Sequence, residues 1–473
     1  MKRNTQISRR MFIRGFGSAG IGAWAAPLVF PSRILGAASP NAKLNIAVIG
    51  TGIRSLYLIQ EALRQGSNIV ALCDVDAAQI ADTKEQIAKK LPDIGAAAMT
   101  KAKVYDDYRK LLEAERSFDA VMIATGSRWH APLTVVFMKA GKHIYCEKPL
   151  VNKATEAREL MALSRTSKVV TQTGTQGASA KTFRRTMEII EAGVLGQVRE
   201  AHLWSCWTPM YPPSHNRPEG EDPVPAGFNW DFWLGPAPGR PFKQGVYHPG
   251  SLKYLPWLDL SNGILAGMGS HTFSLPVRAL KLGEPTRVEA DITEPIKETY
   301  ISAGRFRYEF AARDNLAPVT LWWTDGNKYP PAHATQDLQT MSGEVPKHGC
   351  LFLGDKGEIY ADGWGTHCVM KLKGDKKWRG VLDHETVAAV PVTLPRVEAD
   401  NHMIEWLQAC QGGPATFTNL EIGAHCCQVF LPGILSLRLG RPIEWDAAHL
   451  NVPGAPEAEP LIQKNYRTKW LMI

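Results

Sequence analysis

The sequence has few of the features that mark disulfide-stabilised, membrane-spanning or repetitive proteins. Its eight cysteines are spread over 473 residues and form no Cys-x-x-Cys pair, which argues against a disulfide framework or a zinc ribbon. The histidines also lack the spacing of metal ligands, so we expect no metal site and eight packed thiols. We find no internal repeat and no low-complexity stretch. Beyond the first 40 residues, no apolar run reaches the roughly 18 residues that a membrane-spanning helix needs.

The amino terminus has the features of an export signal. Arg9 and Arg10 precede a weakly apolar run from Gly15 to Phe30, and the small residues Gly36 to Ala38 offer a cleavage site. A twin-arginine pair in this setting is typical of signals that export proteins already folded, often around a cofactor. We therefore expect residues 1–38 to be a signal peptide handled by the twin-arginine (Tat) export machinery, and the mature protein to be periplasmic.

Removal of this leader changes the charge of the chain. Residues 1–38 hold six of the 54 basic residues and none of the 46 acidic ones, so the net charge falls from +8 to +2. Nucleic-acid binding thereby loses its compositional support, and no stable membrane span is expected after cleavage. About 435 residues remain, which is enough for two domains.

The first strongly patterned segment is a β-branched apolar run from Lys43 to Gly50, followed by a glycine turn and a helical pattern. Gly50 and Gly52 let the turn tighten and bring the backbone close to a pyrophosphate, which the start of the helix then stabilises. We expect Ile53 and Arg54, at that start, to contact the cofactor too. The alternative is a surface turn with no nucleotide.

A second strand pattern, from Asn68 to Cys73, ends in Asp74, which lies 24 residues beyond Gly50. A carboxylate at this distance can accept hydrogen bonds from the adenosine ribose hydroxyls. Because its charge would repel a 2′-phosphate, we expect NAD as the cofactor rather than NADP.

Strand and helix patterns continue to alternate through Phe118–Ala124, Ala131–Ala140 and His143–Cys146. This alternation predicts a doubly wound α/β sheet, which binds ligands beyond the carboxyl ends of its strands. The loops at those ends supply further cofactor contacts, for which we expect Thr125, His130, Glu147 and Lys148. For His130, capping of the following helix is an equal alternative.

The segment from Gly141 to Leu150, which ends in Glu-Lys-Pro-Leu, closely resembles the signature of the Gfo/Idh/MocA family. That family comprises nicotinamide-dependent enzymes that act mainly on sugars, cyclitols and their derivatives. The loop from Trp129 to Pro132 and the segment from Gly174 to Gln176 are similar to further motifs of the family. Trp230 to Ala237 and the carboxyl terminus resemble its exported bacterial branch.

The resemblance implies an α/β fold in two parts. Residues 43–170 would form the doubly wound Rossmann domain, and residues 171–473 an α+β domain with a large, mainly antiparallel sheet. Longer β-rich segments, such as Arg199 to Trp207 and Thr286 to Ile292, agree with the second part. One face of that sheet would close the active site and the other would form a subunit interface, so we expect a homo-oligomer.

Lys148 is the catalytic residue that the resemblance supplies, because the lysine of this motif binds and deprotonates the reacting hydroxyl. A lysine beside a cationic nicotinamide and partly removed from water has a lowered pKa, which suits it to proton transfer near neutrality. We expect Glu147 to position Lys148 rather than act as a second base. The alternative for Lys148 is a solvated lysine after a strand.

The second signature of the family, an aspartate four residues before a histidine, is only half present. His271 is retained, and we expect it at the site, but Gly267 stands where the family has the aspartate. Glycine can neither orient a hydroxyl nor hold a proton, so a mechanism through that carboxylate does not transfer to this chain. Asp259, Tyr247 and His248 are candidates to replace it.

The expected substrate contacts are Lys148, His271, Arg128, Trp230 and Tyr247. Arg128 either reaches an acidic or heavily hydroxylated substrate or is a surface residue. Five tryptophans of the second part offer ring faces for a sugar, and we expect one or two of them to touch ligand.

Three functions follow from these residues. The first is a periplasmic NAD-dependent oxidoreductase that acts on a hydroxyl of a sugar, cyclitol or glycoside. The second is a glycoside hydrolase that keeps its NAD bound and oxidises a ring hydroxyl only transiently. The third is a non-catalytic sugar-binding descendant, which the glycine at position 267 keeps open.

Overall fold

Two β-sheets, which follow one another along the chain, organise this computed structural model. It describes residues 43–207, 215–248, 250–292 and 296–467. The predicted signal peptide, residues 1–38, lies outside the described residues.

The first sheet is parallel and contains six strands in the order β3-β2-β1-β4-β5-β6. The apolar runs expected as buried strands form it, and the strand order reverses between β1 and β4. At such a reversal the carboxyl ends of two neighbouring strands open a crevice for a ligand. The strands are β1 (Asn45–Ile49), β2 (Asn68–Cys73), β3 (Lys103–Tyr105), β4 (Ala120–Ile123), β5 (His143–Cys146) and β6 (Thr171–Thr173).

Helices connect these strands, and side chains fix where two of them begin. Asp76 and Asp107 each accept a hydrogen bond from a backbone N–H in the first turn of the helix that follows. These N–H groups have no acceptor within the helix, so each aspartate acts as an N-cap. The helices are α1 (Ile53–Arg64), α2 (Ala77–Lys90), α3 (Ile94–Lys101), α4 (Tyr108–Ala114), α5 (His130–Lys139) and α6 (Ala154–Thr166), with a 3-10 turn at Ser127–Trp129.

The second sheet has nine strands in the order β14-β13-β12-β11-β7-β10-β9-β8-β15. All neighbours are antiparallel except β7 and β10, which confirms the expectation of a mainly antiparallel sheet. The strands are β7 (Val198–Ser205), β8 (Arg287–Ile292), β9 (Gly304–Phe310), β10 (Val319–Asp325), β11 (His348–Gly354), β12 (Gly357–Ala361), β13 (Cys368–Leu372), β14 (Arg379–Gly380) and β15 (Ile443–Glu444).

The helices of the second part precede, separate and follow the strands of this sheet along the chain. The helices are α7 (Lys181–Glu191), α8 (Trp230–Leu234), α9 (Ser251–Tyr254), α10 (Gly263–Gly267), α11 (Gly269–Thr272), α12 (Ser274–Ala279), α13 (Ala332–Ser342), α14 (His402–Cys410), α15 (Leu420–Leu439) and α16 (Glu459–Ile462). Four 3-10 turns accompany them at Gln176–Ser179, Glu385–Ala389, Glu398–Asp400 and Pro456–Ala458.

The two faces of the second sheet pack against different helices. On one face Trp323 of β10 meets Phe273, which in turn contacts Phe430 of α15. On the other face Trp204 of β7 packs with Leu338 of α13. Since neighbouring residues on a strand point to opposite faces, the sheet separates a side toward α10, α11 and α12 from a side toward α13.

The helix α14, which comes late in the chain, packs on the first sheet rather than the second. Its residues Met403, Trp406 and Leu407 are buried in one cluster with apolar residues of β1, β2 and α1. The ring of Trp406 meets that of Tyr145 on β5 edge to face, with centroids 5.6 Å apart. The parallel sheet also includes β6, which lies just beyond the expected division at residue 170.

The long helix α15 is apolar and lies in the protein interior. With 20 residues it has the length and composition of a membrane span, but 78% of its most apolar stretch is buried within the fold. It packs against α6 and β8.

Candidate active site

A cavity of about 340 Å³ opens where the carboxyl ends of β1, β2, β4 and β5 meet, and we call these strand ends the cofactor edge. Its size falls in the range of small-molecule sites. All the residues expected to contact the cofactor line it, namely Gly50, Gly52, Ile53, Arg54, Asp74, Thr125, His130, Glu147 and Lys148.

The glycine turn after β1 has a conformation that other residues could not adopt. Gly50 has φ +85°, and a Cβ there would lie 2.7 Å from the carbonyl oxygen of Ala124 at the end of β4. Gly52 begins α1, no side chain caps that helix, and the space where its Cβ would lie is open. The start of α1 can therefore approach a phosphate group closely.

Asp74 follows β2, and its carboxylate is fixed by three donors. One oxygen accepts hydrogen bonds from the backbone N–H of Thr51 at 2.6 Å and from its hydroxyl at 3.0 Å, and the other accepts from the N–H of Asp76 at 3.1 Å. Burial raises the pKa of Asp74, although these donors oppose the shift. The carboxylate thus lies on the cavity wall, at the position expected for a ribose contact.

Arg54 and Glu147 form an ion pair across the floor of the cavity. Nε of Arg54 donates to Oε1 of Glu147 at 2.6 Å, and Nε2 of Gln176 donates to the same oxygen at 3.1 Å. Burial lowers the pKa of Arg54, but the charge of Glu147 outweighs this effect and the pKa is raised. Nη2 of Arg54 is buried without a hydrogen-bond partner among the described residues, so it remains available to a ligand.

The ammonium group of Lys148 lies between the cavity and α10. Its Nζ donates to the carbonyl oxygen of Gly267 at 3.1 Å, and the Lys148–Pro149 peptide bond is cis. Burial lowers the pKa of Lys148, while the carboxylate of Glu147 opposes the shift. A lysine held in this way can exchange a proton closer to neutrality than a solvated lysine.

Leu255 occupies the space beside the position of the missing aspartate. A Cβ on Gly267 would lie 2.9 Å from Cδ2 of Leu255, so a carboxylate at 267 would require this side chain to move. Of the candidate replacements, His248 lines the cavity, but its Nε2 lies 2.9 Å from Oδ2 of Asp76. Asp259 instead forms an ion pair with Arg240.

His271 is buried on α11, four residues beyond Gly267. Its ring centroid lies 6.2 Å from that of Trp364, and the ring makes no hydrogen bond to a described residue. Burial, together with the positive charges of Lys148 and Arg54, places the pKa of His271 well below its usual value, so the ring is neutral at pH 7. It lies outside the cavity lining, on the α10–α11 side of Lys148.

His130 joins two loops of the cofactor edge. Its Nδ1 lies 2.7 Å from the carbonyl oxygen of Pro149, and its Nε2 lies 3.1 Å from that of Thr125. The ring also lines the cavity, and burial lowers the pKa of His130. Because a neutral ring carries one N–H, it donates to one of these two carbonyls, and the side chain packs between the Lys148 loop and the loop after β4.

Arg128 is buried in the cavity wall and is not a surface residue. Its Nε donates to the carbonyl oxygen of Trp233 at 2.9 Å, and its guanidinium lies 3.8 Å from the ring centroid of Trp233. Nη1 is buried and has no hydrogen-bond partner within the described residues. Burial without a carboxylate contact lowers the pKa of Arg128 to about 9.

Trp230 and Tyr247, expected as substrate contacts, lie behind the cavity wall rather than on it. The ring of Trp230 stacks between those of Trp233 and Tyr247, at centroid distances of 4.8 and 5.7 Å, and Tyr247 is 1% exposed. The aromatic side chains that line the cavity on this side are Phe232, Trp233, His248 and Tyr254, which we call the aromatic wall.

Sequence reasoning missed most of this wall. Trp230 and Trp233 lie on one short helix, α8, and three-residue spacing places them on the same face, so the pattern could not tell which one meets ligand. For Tyr254 the sequence carried no signal.

The residues at the cofactor edge fit NAD. Asp74 offers carboxylate oxygens for ribose hydroxyls, the start of α1 is open for the pyrophosphate, and Arg54 adds a donor without a partner. Lys148 lies at the far end of the cofactor edge, after β5, where it can contact the reacting group of a substrate.

Comparison with known proteins agrees with this geometry. Residues 44–175 match the sequence profile of an oxidoreductase family described as having an NAD-binding Rossmann fold, GFO_IDH_MocA. A glycosyl hydrolase family 109 protein of Stenotrophomonas maltophilia is 33% identical over 112 residues, which are 22% of this chain and 23% of that protein. Myo-inositol 2-dehydrogenase of Thermotoga maritima is 25% identical over 160 residues, which are 33% of this chain and 42% of that enzyme.

The chain therefore spans between about a quarter and two fifths of the length of these curated relatives.

A solved structure has a similar fold over most of the length of this chain. An inositol dehydrogenase homologue from Azotobacter vinelandii, crystallised with NADH and myo-inositol, has a TM-score of 0.56 at 16% identity and covers 86% of this chain and 98% of its own. Residues 44–175 of this chain therefore match the GFO_IDH_MocA oxidoreductase family and its NAD-binding Rossmann fold.

Proposed function

We propose that this protein is an NAD-dependent oxidoreductase that acts on a hydroxyl group of a sugar, cyclitol or glycoside. The observation that carries the proposal is the position of Lys148, at the cofactor edge, with its pKa lowered by burial. The myo-inositol 2-dehydrogenase of Thermotoga maritima is similar to this chain over 160 residues.

Bound NAD would supply the hydride acceptor, and the protein supplies orientation and proton transfer. Lys148 in its neutral form accepts the proton of the substrate hydroxyl as the carbon gives up its hydride. The carbonyl of Gly267 fixes the direction of the Lys148 amine. The Arg54–Glu147 pair holds the start of the Lys148 loop, because Oε2 of Glu147 also accepts the backbone N–H of Lys148 at 3.2 Å.

His271 is the partner that we propose for Lys148. Its neutral ring lies on the same side as the lysine and four residues beyond the carbonyl that the lysine binds. A neutral imidazole can accept a hydrogen bond from a neighbouring substrate hydroxyl. Because His271 lies outside the cavity lining, it would reach such a hydroxyl only from the α10–α11 side of Lys148, where it would take the role of the family aspartate that Gly267 replaces.

The substrate would lie between Lys148 and the aromatic wall. Trp233, whose ring stacks with Trp230 and Arg128, lines this side of the cavity, and Arg128 has a donor nitrogen without a partner among the described residues. An aromatic lining and a buried guanidinium favour a ring with several hydroxyls or a carboxylate.

A second candidate function uses the same residues. The relative in Stenotrophomonas maltophilia is named a glycosyl hydrolase, and an NAD that stays bound permits hydrolysis without net oxidation. Oxidation of a ring hydroxyl would acidify the neighbouring C–H, the leaving group would depart by elimination, water would add to the double bond, and the hydride would return to the ring carbon. Lys148 would serve the first and last proton transfers.

We also propose that the protein is exported by the twin-arginine route and works in the periplasm as a homo-oligomer. The support is the sequence of residues 1–38 and, for the oligomer, the family resemblance. Fractionation of cells that express the chain with Arg9 and Arg10 or with two lysines in their place would test the route. Export of the lysine variant would contradict it.

Mass spectrometry of products separates the two activities. The protein is incubated with NAD and a panel of free sugars, cyclitols and aryl glycosides. A mass loss of two hydrogens, matched by reduced cofactor, supports the oxidoreductase, whereas release of the aglycone without net reduction supports the hydrolase. If neither product forms while NAD is bound, both proposed activities are overturned, and a sugar-binding protein is the function that remains.

A further inference from the structure

The face of the second sheet that α13 covers holds a cluster of three potential metal ligands. Glu200 and His202 are two residues apart on β7 and point to this face, and His333 lies in the first turn of α13. One ligand atom from each of the three lies within 4.8 Å of the others. Glu200 and His333 are 133 positions apart in the chain, so sequence spacing gave no sign of the cluster.

His202 is the residue that points to a ligand. Its side chain is 0% exposed, and neither ring nitrogen has a hydrogen-bond partner within the described residues. Nε2 lies 3.0 Å from Oε1 of Glu200, so these two candidate ligand atoms are adjacent. A buried polar atom left without a partner is costly, and a neutral imidazole offers the lone pair of one ring nitrogen to a metal.

We infer that Glu200, His202 and His333 bind a zinc ion on the α13 face of the second sheet. In a tetrahedral site, two ligand atoms that each lie about 2.1 Å from zinc are about 3.4 Å apart. The ligand atoms of the cluster lie up to 4.8 Å apart, so they must approach each other by about 1.4 Å at most, which rotation of the exposed side chain of His333 allows. A water molecule would complete a tetrahedral set of two histidines and one glutamate.

The surroundings favour a transition metal over magnesium or calcium. Nε1 of Trp322 donates to Oε1 of Glu200 at 3.1 Å, which orients the carboxylate as an outer partner. The guanidinium of Arg305 lies 3.9 Å from the ring centroid of Trp322, and its positive charge opposes a cation. Coordination by the imidazole nitrogens of the histidines, rather than attraction by negative charge, must therefore bind the metal ion.

The zinc site lies on the opposite face of the sheet from α10 and α11, which carry Gly267 and His271. It joins the start of α13 to β7 in the middle of the sheet. Its occupancy therefore anchors α13 and takes no part in the reaction proposed at the cofactor edge, so the two proposals succeed or fail independently.

Calorimetric titration of the purified protein with zinc chloride tests the site. We expect one tightly bound equivalent, and His333→Ala should weaken this binding at least about tenfold. Because His333 is exposed, the substitution leaves the fold intact, which thermal unfolding without metal checks. Glu200→Gln should also weaken binding, while His367→Ala, at another exposed histidine, should not.

Cobalt substitution distinguishes this site from the cysteines. Cobalt bound by two histidines and a glutamate gives visible bands without the thiolate charge-transfer band in the near ultraviolet. No zinc binding, equal binding by the wild type and His333→Ala, or a thiolate band in the cobalt spectrum would each overturn the inference.

Discussion

The cofactor edge and the aromatic wall enclose one cavity, but they are built in different ways. At the cofactor edge the contributing residues lie in the loops and helix starts just beyond strands of the parallel sheet, as Gly50, Asp74 and Lys148 do. The aromatic wall comes from short helices and loops between residues 228 and 254 that hold each other by ring stacking. The order of the strands fixes the positions of the residues at the cofactor edge. The positions of the residues in the aromatic wall depend instead on tertiary packing, which no local sequence pattern encodes.

The largest effect that would test this contrast is expected at Lys148. Lys148→Met should lower kcat by at least about 10³-fold, because it removes the proton-transfer group, while NAD binding stays close to wild type. Steady-state kinetics and cofactor titration measure the two separately. Lys139→Met, at an exposed lysine of α5, is the control. Full activity of Lys148→Met would show that the base lies elsewhere.

Asp74 should govern which cofactor binds. Asp74→Ser removes charge-assisted hydrogen bonds to the ribose, each contributing about 1.5–3 kcal/mol, so we expect NAD affinity to fall about 10- to 100-fold. Affinity for NADP should rise relative to NAD, because the repulsion of the 2′-phosphate is gone. The ratio of the two affinities excludes a merely structural effect. An unchanged ratio would refute the ribose contact.

The pH dependence of kcat/KM is an independent test of Lys148 as the base. Its pKa is lowered from 10.5 by burial, and oxidation needs the neutral amine. We therefore expect kcat/KM to rise about tenfold per pH unit below that pKa and to level off above it, at a pH below 10.5. A profile that is flat from pH 6 to 10 would contradict the assignment.

The smallest effect compares two tryptophans of α8. Trp233 lines the cavity and Trp230 lies behind it, so Trp233→Leu should raise KM about three- to tenfold and Trp230→Leu should leave KM unchanged. Both substitutions should destabilise the fold by about 1–3 kcal/mol, which makes them a matched pair. Equal effects on KM would mean that the wall acts as one packed unit.

The sequence predicted the cofactor edge well, because strand, glycine turn and helix follow one another within a few residues. The parallel sheet, the position of Asp74 and the placement of Lys148 all follow from that local order. The mainly antiparallel second sheet came from the family resemblance, and the structure confirms it.

The rest depended on contacts between distant segments. Arg128 was left open between a substrate contact and a surface residue, and only the carbonyl of Trp233 and the stacked ring explain its burial. Trp230 and Tyr247 were chosen by residue type, but packing places both behind the wall. The cluster around His202 was invisible, because one of its three ligands comes from a helix far along the chain.

The packing of α14 on the parallel sheet has a consequence for how the chain matures. The apolar face formed by β1, β2 and α1 is closed by Met403, Trp406 and Leu407, so the nucleotide-binding half stays incomplete until about 410 residues have left the ribosome. An N-terminal fragment that ends near residue 175 would expose this face and aggregate. For a protein exported in the folded state, as proposed here, the leader is made first, yet a transport-ready cargo exists only when synthesis is nearly finished.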